Sequence, residues 1–179
     1  MKKIMYNTLI ASVASFCLTG TALAGGILKV GNGADPTSLD PHYVSINTES
    51  NIIDNMFGGL TRPNAKGKII PGLAKSWDIS KDGKTYTFYL RDAKWSDGKP
   101  ITAHDFEFSF KRILKPETAS KYSFMLHPIV GAEDYNRGKG DVNAVGVKAL
   151  DDKTFQITLN EPVPYLFCLL YTSPSPRDS

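Results

Sequence analysis

The stretch KDGKTYTFYLRDAKWSDGKPITAHDFEFSFKRIL, residues 81–114, carries two secondary-structure periods and two turn signals in one run. Tyr86, Phe88 and Leu90 alternate with Thr85, Thr87 and Tyr89, the two-residue period of a strand, here with something to bury on either face. Asp82-Gly83 and Asp97-Gly98 mark turns before and after an exposed-looking Trp95. Thr102 with Asp105 three residues on makes an acidic capping box and opens a helix. Phe106, Phe110, Ile113 and Leu114 follow at helical spacing as its buried face, and Lys115-Pro116 ends it. Turn, strand, tryptophan, turn, helix: the block holds no arrangement of catalytic residues.

Outward from that block, the same signals recur. Towards the N-terminus, ILKVGNG (27–33) reads as a short strand and DPTSLDPHY (35–43) as a turn-rich loop. INTESNIIDNMF (46–57) places Ile46, Ile53, Met56 and Phe57 on one helical face, with Asn47 or Thr48 as cap and Gly58-Gly59 as stop. GLTRPN is a short segment, and AKGKIIPGLAKSWDIS a turn followed by a short strand. Towards the C-terminus, MLHPIVGAEDYNRGKG predicts a short helix ending at Gly138. VNAVGVKALDDKTFQITLNEP predicts a hairpin through Asp151-Asp152-Lys153, with Val145, Val147 and Ala149 alternating against Phe155, Ile157 and Leu159. The expected fold class is mixed α/β, or α+β, with antiparallel strands dominating and no internal repeat.

The first residues speak to compartment. Lys2 and Lys3 precede an uncharged, mostly apolar run that ends in Ala22-Leu23-Ala24, the pattern of a cleaved secretory signal peptide over residues 1–24. The apolar run is short for a bilayer span, and the bulk of Phe16 before Cys17 argues against a lipidated cysteine. Cleavage after Ala24 leaves 19 basic against 18 acidic residues, which supplies no basic field for nucleic acid. It also leaves Cys168 as the sole cysteine, so no internal disulfide is expected. At 41% hydrophobic and 22% charged residues the chain is globular in composition.

Candidate chemistry is sparse. His42, His104 and His127 sit in unrelated segments without metal-ligand spacing and read as surface or cap-region residues. Asp40-Pro41-His42 reads as a structured turn rather than a ligand set. Gly31-Asn32-Gly33 lacks the helix-opening glycine of a dinucleotide site. Trp77, Trp95, Tyr86 and Tyr122 have the amphipathic chemistry of pocket walls, though core or half-core packing is the preferred reading for each. No enzyme class, metal or cofactor is indicated.

Five ordered blocks resemble one known family. DPTSLDPH (35–42), NIIDNMFGGLTR (51–62), the run 69–114, PETASKY (116–122) and GVKALDDKTFQITLNEPVPY (146–165) are similar to the bacterial extracellular solute-binding proteins of family 5, in the branch that serves peptide importers. The resemblance implies that residues 25–167 form part of the first lobe of a two-lobed periplasmic binding protein. Such a receptor closes over an extended oligopeptide and delivers it to an inner-membrane ABC permease. The last block points to the oligopeptide or murein-tripeptide branch. By resemblance, the ligand-contacting positions are Gly59, Leu60, Thr61 and Tyr122. Gly58 stands where close relatives often carry an acidic residue. Family members are considerably longer, so this chain is expected to be an N-terminal fragment, unable by itself to clamp a ligand. Residues 168–179, which end in the proline-rich SPSPRDS, are expected to be a non-native or disordered tail. Two alternatives from other classes are a free-standing exported interaction domain built on the same lobe, and an exported hydrolase.

Overall fold

The computed structural model describes residues 31–170. The signal peptide expected over 1–24, most of the strand expected at 27–33, and residues 171–179 lie outside the described residues. Helix α1 (Asn47–Met56) is followed by two short strands, β1 (Thr61–Pro63) and β2 (Ile69–Pro71), and then by β3 (Ala74–Ile79) and β4 (Thr85–Leu90). Helix α2 (Ala103–Leu114) comes next, then 3-10 turns at Pro116–Thr118 and Ser123–Leu126 and the short helix α3 (Ala132–Asn136). A 3-10 turn at Val142–Ala144, strands β5 (Val147–Asp151) and β6 (Thr154–Thr158), and helix α4 (Leu166–Leu169) complete the order.

The centre is a four-stranded antiparallel sheet in the order β3-β4-β6-β5, beside a separate β1-β2 hairpin. Register sorts its residues by face. Trp77 stands opposite Phe88, Phe88 opposite Phe155, and Phe155 opposite Ala149. Tyr86, Ile157 and Val147 form the next row. Opposed residues point to the same side of a sheet, so all of these line one apolar face. Phe88, Phe155 and Ile157 are wholly buried on it. The other face is polar: Gln156 Nε2 donates to Thr87 Oγ1 at 3.2 Å, and Tyr89 donates to Asp78 at 2.8 Å. The alternation in 85–90 therefore buries one side fully and the threonine side only in part.

Two helices cover the apolar face. Helix α2 lays Phe106 and Phe110 against Phe155, with ring centroids 5.8 and 5.6 Å apart. Helix α4 brings Phe167 onto Trp77, Tyr86 and Phe88 at 5.2, 5.7 and 6.5 Å. Leu166 and Leu170 are buried, and Thr61 reaches this segment through its N–H to the Leu170 carbonyl and its hydroxyl to the Phe167 carbonyl, both at 3.3 Å. Of the tail expected at 168–179, residues 171–179 lie outside the described residues.

The capping box forms as expected: the Asp105 carboxylate accepts from the Thr102 N–H at 2.8 Å and hydroxyl at 3.1 Å. The β5-β6 hairpin tip assists, since the Asp152 carbonyl accepts from the Ala103 N–H at 2.9 Å. Each Asp-Gly turn folds alike. Gly83 (φ 68°) and Gly98 (φ 88°) take the left-handed conformation, and each Asp carboxylate accepts the N–H of the lysine two residues on. The outer flank of α2 closes the sheet edge: Glu107 Oε2 accepts the Ala149 N–H of β5 at 2.7 Å while Lys111 holds its other oxygen.

Several expectations need correction. Ile53 faces inward as expected, but Ile46 and Met56 are exposed and Glu49 takes the other inward place on α1. Ile46 is the N-cap, and neither Asn47 nor Thr48 caps the helix, because the loop ahead of it is tied down by Glu49 rather than by a capping hydroxyl. RP and IIP pair as a hairpin that their turn-like composition disguises. Trp95 is half-buried against the core rather than exposed. Within MLHPIVGAEDYNRGKG the helix expected to end at Gly138 is only α3, preceded by a 3-10 turn, and Gly131 between them adopts φ 66° with the Ala144 carbonyl 2.6 Å from where a Cβ would stand.

Phe155 touches both α2 aromatics and pairs with Phe88. Phe155→Ala is expected to cost about 3–5 kcal/mol, measured by urea unfolding. Gln156→Ala, on the polar face, is expected to stay within about 1 kcal/mol.

Candidate functional site

The positions singled out by resemblance fall on two different elements. Gly59, Leu60 and Thr61 run from the end of α1 into β1 and are buried, Leu60 and Thr61 almost completely. Their polar groups are heavily engaged within the chain. The Gly59 carbonyl accepts from Leu73 at 2.9 Å, and the Leu60 carbonyl accepts from Gly72 at 3.1 Å and Ala74 at 3.0 Å. Gly72 is required there, since a Cβ would lie 2.5 Å from the Gly59 oxygen. Tyr122 sits elsewhere, between the two 3-10 turns that follow α2, 46% exposed and stacked loosely on Phe124 at 6.4 Å. Gly58, the position without the acidic side chain, is exposed.

The other pocket candidates resolve into packing. Tyr86 is buried, and Trp77 and Trp95 are half-buried on the core. The indole N–H of Trp95 is enclosed with no hydrogen-bond partner among the described residues. Of the histidines, His104 is exposed near Asp152, and His127 is half-buried with Nε2 3.0 Å from Asn136 Oδ1.

His42 contradicts its expected surface position: it is 4% exposed. It belongs to a polar cluster that binds the loop before α1 to the buried flank of α2. Arg112 grips Asp40 with both guanidinium nitrogens, at 2.9 and 2.5 Å, and its carbon lies 5.9 Å from the centre of the Tyr43 ring. The same guanidinium nitrogen lies 2.8 Å from His42 Nδ1, and His42 Nε2 lies 3.1 Å from Ser109 Oγ. The Asp40-Pro41-His42 turn is as expected: Asp40 Oδ1 accepts the His42 N–H at 2.9 Å, and the Asp40 carbonyl accepts from Tyr43. From α1, the buried Glu49 accepts from the Thr37 N–H and hydroxyl and from the Ser45 N–H, so it holds both ends of the loop. Lys121, next to Tyr122, donates to Ser45 at 3.3 Å and ties the second candidate segment to the same loop.

A histidine at hydrogen-bond distance from a serine invites comparison with a nucleophile and its base. The electrostatics are opposite to that need. A guanidinium only donates, so Nδ1 of His42 must accept, and the ring proton must sit on Nε2, pointing at Ser109. A base must accept from its serine through that nitrogen, and a carboxylate, not a cation, should stand behind it. The arrangement ties the loop before α1 to α2. No group of three or more potential metal ligands occurs among the described residues.

Sequence reading missed Arg112, Ser109 and Glu49. Ser109 and Arg112 lie three apart on α2, a helical neighbour pair, but nothing local links them to Asp40, 72 residues earlier.

A family model described as bacterial extracellular solute-binding proteins, family 5 Middle, matches residues 68–179. The periplasmic oligopeptide-binding protein OppA of Escherichia coli K12 is 47% identical over 152 residues, covering 82% of this chain and 28% of that protein. The periplasmic murein peptide-binding protein MppA of the same organism is 37% identical over 166 residues, covering 90% of this chain and 31% of that protein. The crystal structure of Haemophilus influenzae OppA in complex with RPPGFSPFR superposes with a TM-score of 0.76 at 40% identity, covering 81% of this chain and 29% of that one. The chain therefore spans about a third or less of the length of these relatives.

The cluster sets an acid limit. Burial pushes the Asp40 carboxyl up, but the Arg112 guanidinium and the His42 N–H outweigh it and hold Asp40 below its ordinary value. Glu49 is likewise held low, chiefly by the Thr37 hydroxyl. Groups whose folded pKa is depressed stabilise fully above the ordinary carboxylate value of ~4 and lose that contribution as pH falls through the folded value. Unfolding midpoints measured from about pH 6 down to about pH 3 are expected to drop. Arg112→Met is expected to cost on the order of 2 kcal/mol at neutral pH and to flatten that acid slope.

Proposed function

The chain belongs to the bacterial extracellular solute-binding proteins of family 5, and we propose that it supplies part of the first lobe of a receptor that captures oligopeptides for an ABC importer. The observation that carries this reading is the 47% identity to an oligopeptide-binding protein over most of the chain. The structure complexed with the nonapeptide RPPGFSPFR, matched over 81% of the chain, supports the same ligand class. Its place of work would be the periplasm, its partner an inner-membrane permease, and its action binding without a cofactor. We place the contacts at Gly59, Leu60, Thr61 and Tyr122.

Peptide backbones are common to all sequences, so a receptor that holds them by strand-like hydrogen bonds accepts many ligands. The buried carbonyl of Leu60, which accepts from both Gly72 and Ala74, suits a rigid platform behind such a contact, because groups already fixed by the fold lose little freedom when a ligand docks. Tyr122 adds an exposed aromatic surface with a polar tip on a separately anchored segment, as a ligand-facing residue needs. Gly58 provides no charge at the neighbouring position, which favours recognition of the backbone over a basic side chain there.

A receptor of this kind encloses its ligand between two lobes, and the chain covers only 28% and 29% of the length of the two OppA proteins named above. Binding by this chain alone is expected to be millimolar or weaker, roughly −4 kcal/mol. Titrating trialanine and a basic tripeptide into 15N-labelled protein checks this. Amide shifts are expected at Gly59–Thr61 and around Tyr122, reduced by Tyr122→Ala. Shifts confined to other regions, or saturation at micromolar peptide, would overturn the assignment of the site or the partial-lobe reading respectively.

A further inference from the structure

We propose that Asn136 is the positioning residue for Tyr122: its side-chain amide joins the end of α2 to the segment that carries Tyr122 and sets where that ring stands. The link to peptide capture rests on the function proposed above, whereas the anchoring itself does not.

Helix α2 stops short of Pro116, and carbonyls of its last turn have to be met from outside the helix. Two side chains do so. Thr118 Oγ1 donates to the Arg112 carbonyl at 2.6 Å, and Asn136 Nδ2, at the end of α3, donates to the Leu114 carbonyl at 2.8 Å. The second bond orients the amide, because only its nitrogen can donate to a carbonyl. Oδ1 then faces Ser123, whose Oγ donates to it at 3.1 Å, and lies 3.0 Å from His127 Nε2. Ser123 opens the 3-10 turn Ser123–Leu126 and His127 follows it, so one amide holds both ends of that turn to the end of α2. Tyr122 is the residue just before the turn.

The backbone around Tyr122 needs such an anchor. Ala119 has φ 50°, the one non-glycine residue in the left-handed region among the described residues, and a conformation of that kind persists only where its surroundings hold it. Thr118 holds it on one side, buried, and Ser123 on the other, where its hydroxyl also reaches the Ser120 carbonyl at 3.1 Å. The rings of Tyr122 and Phe124 are both exposed, and their loose stack places nothing. The Lys121–Ser45 bond is exposed too. Asn136, by contrast, is placed by the sheet. The Val130 N–H donates to the Thr158 carbonyl at 3.0 Å, Gly146 donates to the Val130 carbonyl at 2.8 Å, and Ala132 at the start of α3 is wholly buried. The amide thus carries the position of β6 to a segment with no strand or long helix of its own.

Hydrogen exchange with mass spectrometry on the whole chain tests the anchor. In Asn136→Ala, protection of peptides spanning 117–127 is expected to fall about tenfold, since the Leu114 carbonyl and the Ser123 hydroxyl both lose a partner, with the Phe88 and Phe155 strands unchanged. Ser123→Ala breaks one of the three bonds of the amide and removes little bulk. It is expected to cause a smaller fall in the same peptides, and it decides the matter should Asn136→Ala fail to fold. Trialanine titrated into each 15N-labelled variant tests the link to binding. The shifts around Tyr122 are expected to shrink, by about half or more in Asn136→Ala, while those at Gly59–Thr61 persist. Unchanged protection of 117–127 in both variants, or an equal loss in the strands, would overturn the anchor. Full-sized shifts at Tyr122 in a loosened segment would overturn the positioning role. If the unaltered protein shows no shifts at Tyr122, the contact assigned there fails, and the exchange result still decides on Asn136.

Discussion

Everything described here depends on the sheet being apolar on one side only. Phe88 and Phe155 stand opposite each other at the centre of the two inner strands, fully buried, and the two helices that cover the sheet do so by reaching that pair. Helix α2 arrives with Phe106 and Phe110, and α4 with Phe167 from the far end of the described chain. Because the opposite face is occupied by threonines, Gln156 and the Tyr89–Asp78 pair, both helices have to share one surface. Thr61 is then fixed by α4, and with it the Gly59–Thr61 segment.

A second level of organisation is polar and long-range. The loop before α1 has little apolar substance of its own; Leu39, Tyr43 and Ile46 are all exposed. It is positioned by a few charged groups with fixed geometry: the forked Arg112 on Asp40, and Glu49 across Thr37 and Ser45. Such contacts set position more than they add stability, since two desolvated charges recover little beyond the cost of burying them. Their worth lies in registering one segment against another. The same loop receives Lys121 from the segment bearing Tyr122, so the placement of that tyrosine rests on the cluster as well.

The fold was largely readable because its signals are local. The alternation in 85–90, the Asp-Gly turns, the Thr102–Asp105 box and the 145–159 hairpin each depend on residues within a few positions of one another. The errors share a cause. Ile46 and Met56 look like core because they are apolar at helical spacing, yet the inward place is taken by Glu49, whose partners come from outside the helix. His42 looks like a turn residue, and its burial is decided by Ser109 and Arg112, some 70 positions away. The candidate contacts at Gly59–Thr61 and Tyr122 came from resemblance alone. No periodicity distinguishes a backbone that will meet a ligand from one that merely ends a helix.

The bond from Glu107 to the Ala149 N–H also bears on how such a chain keeps to itself. Strand β5 borders the sheet, and a border strand offers its unpaired N–H groups to any extended segment that passes. At Ala149 the strand is bulged and its N–H already occupied by a carboxylate anchored by Lys111. An incoming strand would have to displace a charged acceptor and strand a lysine to gain one ordinary hydrogen bond. On that border the protein is guarded against adding a strand of its own kind, so edge-on growth into fibres is discouraged by a single side chain of the helix above.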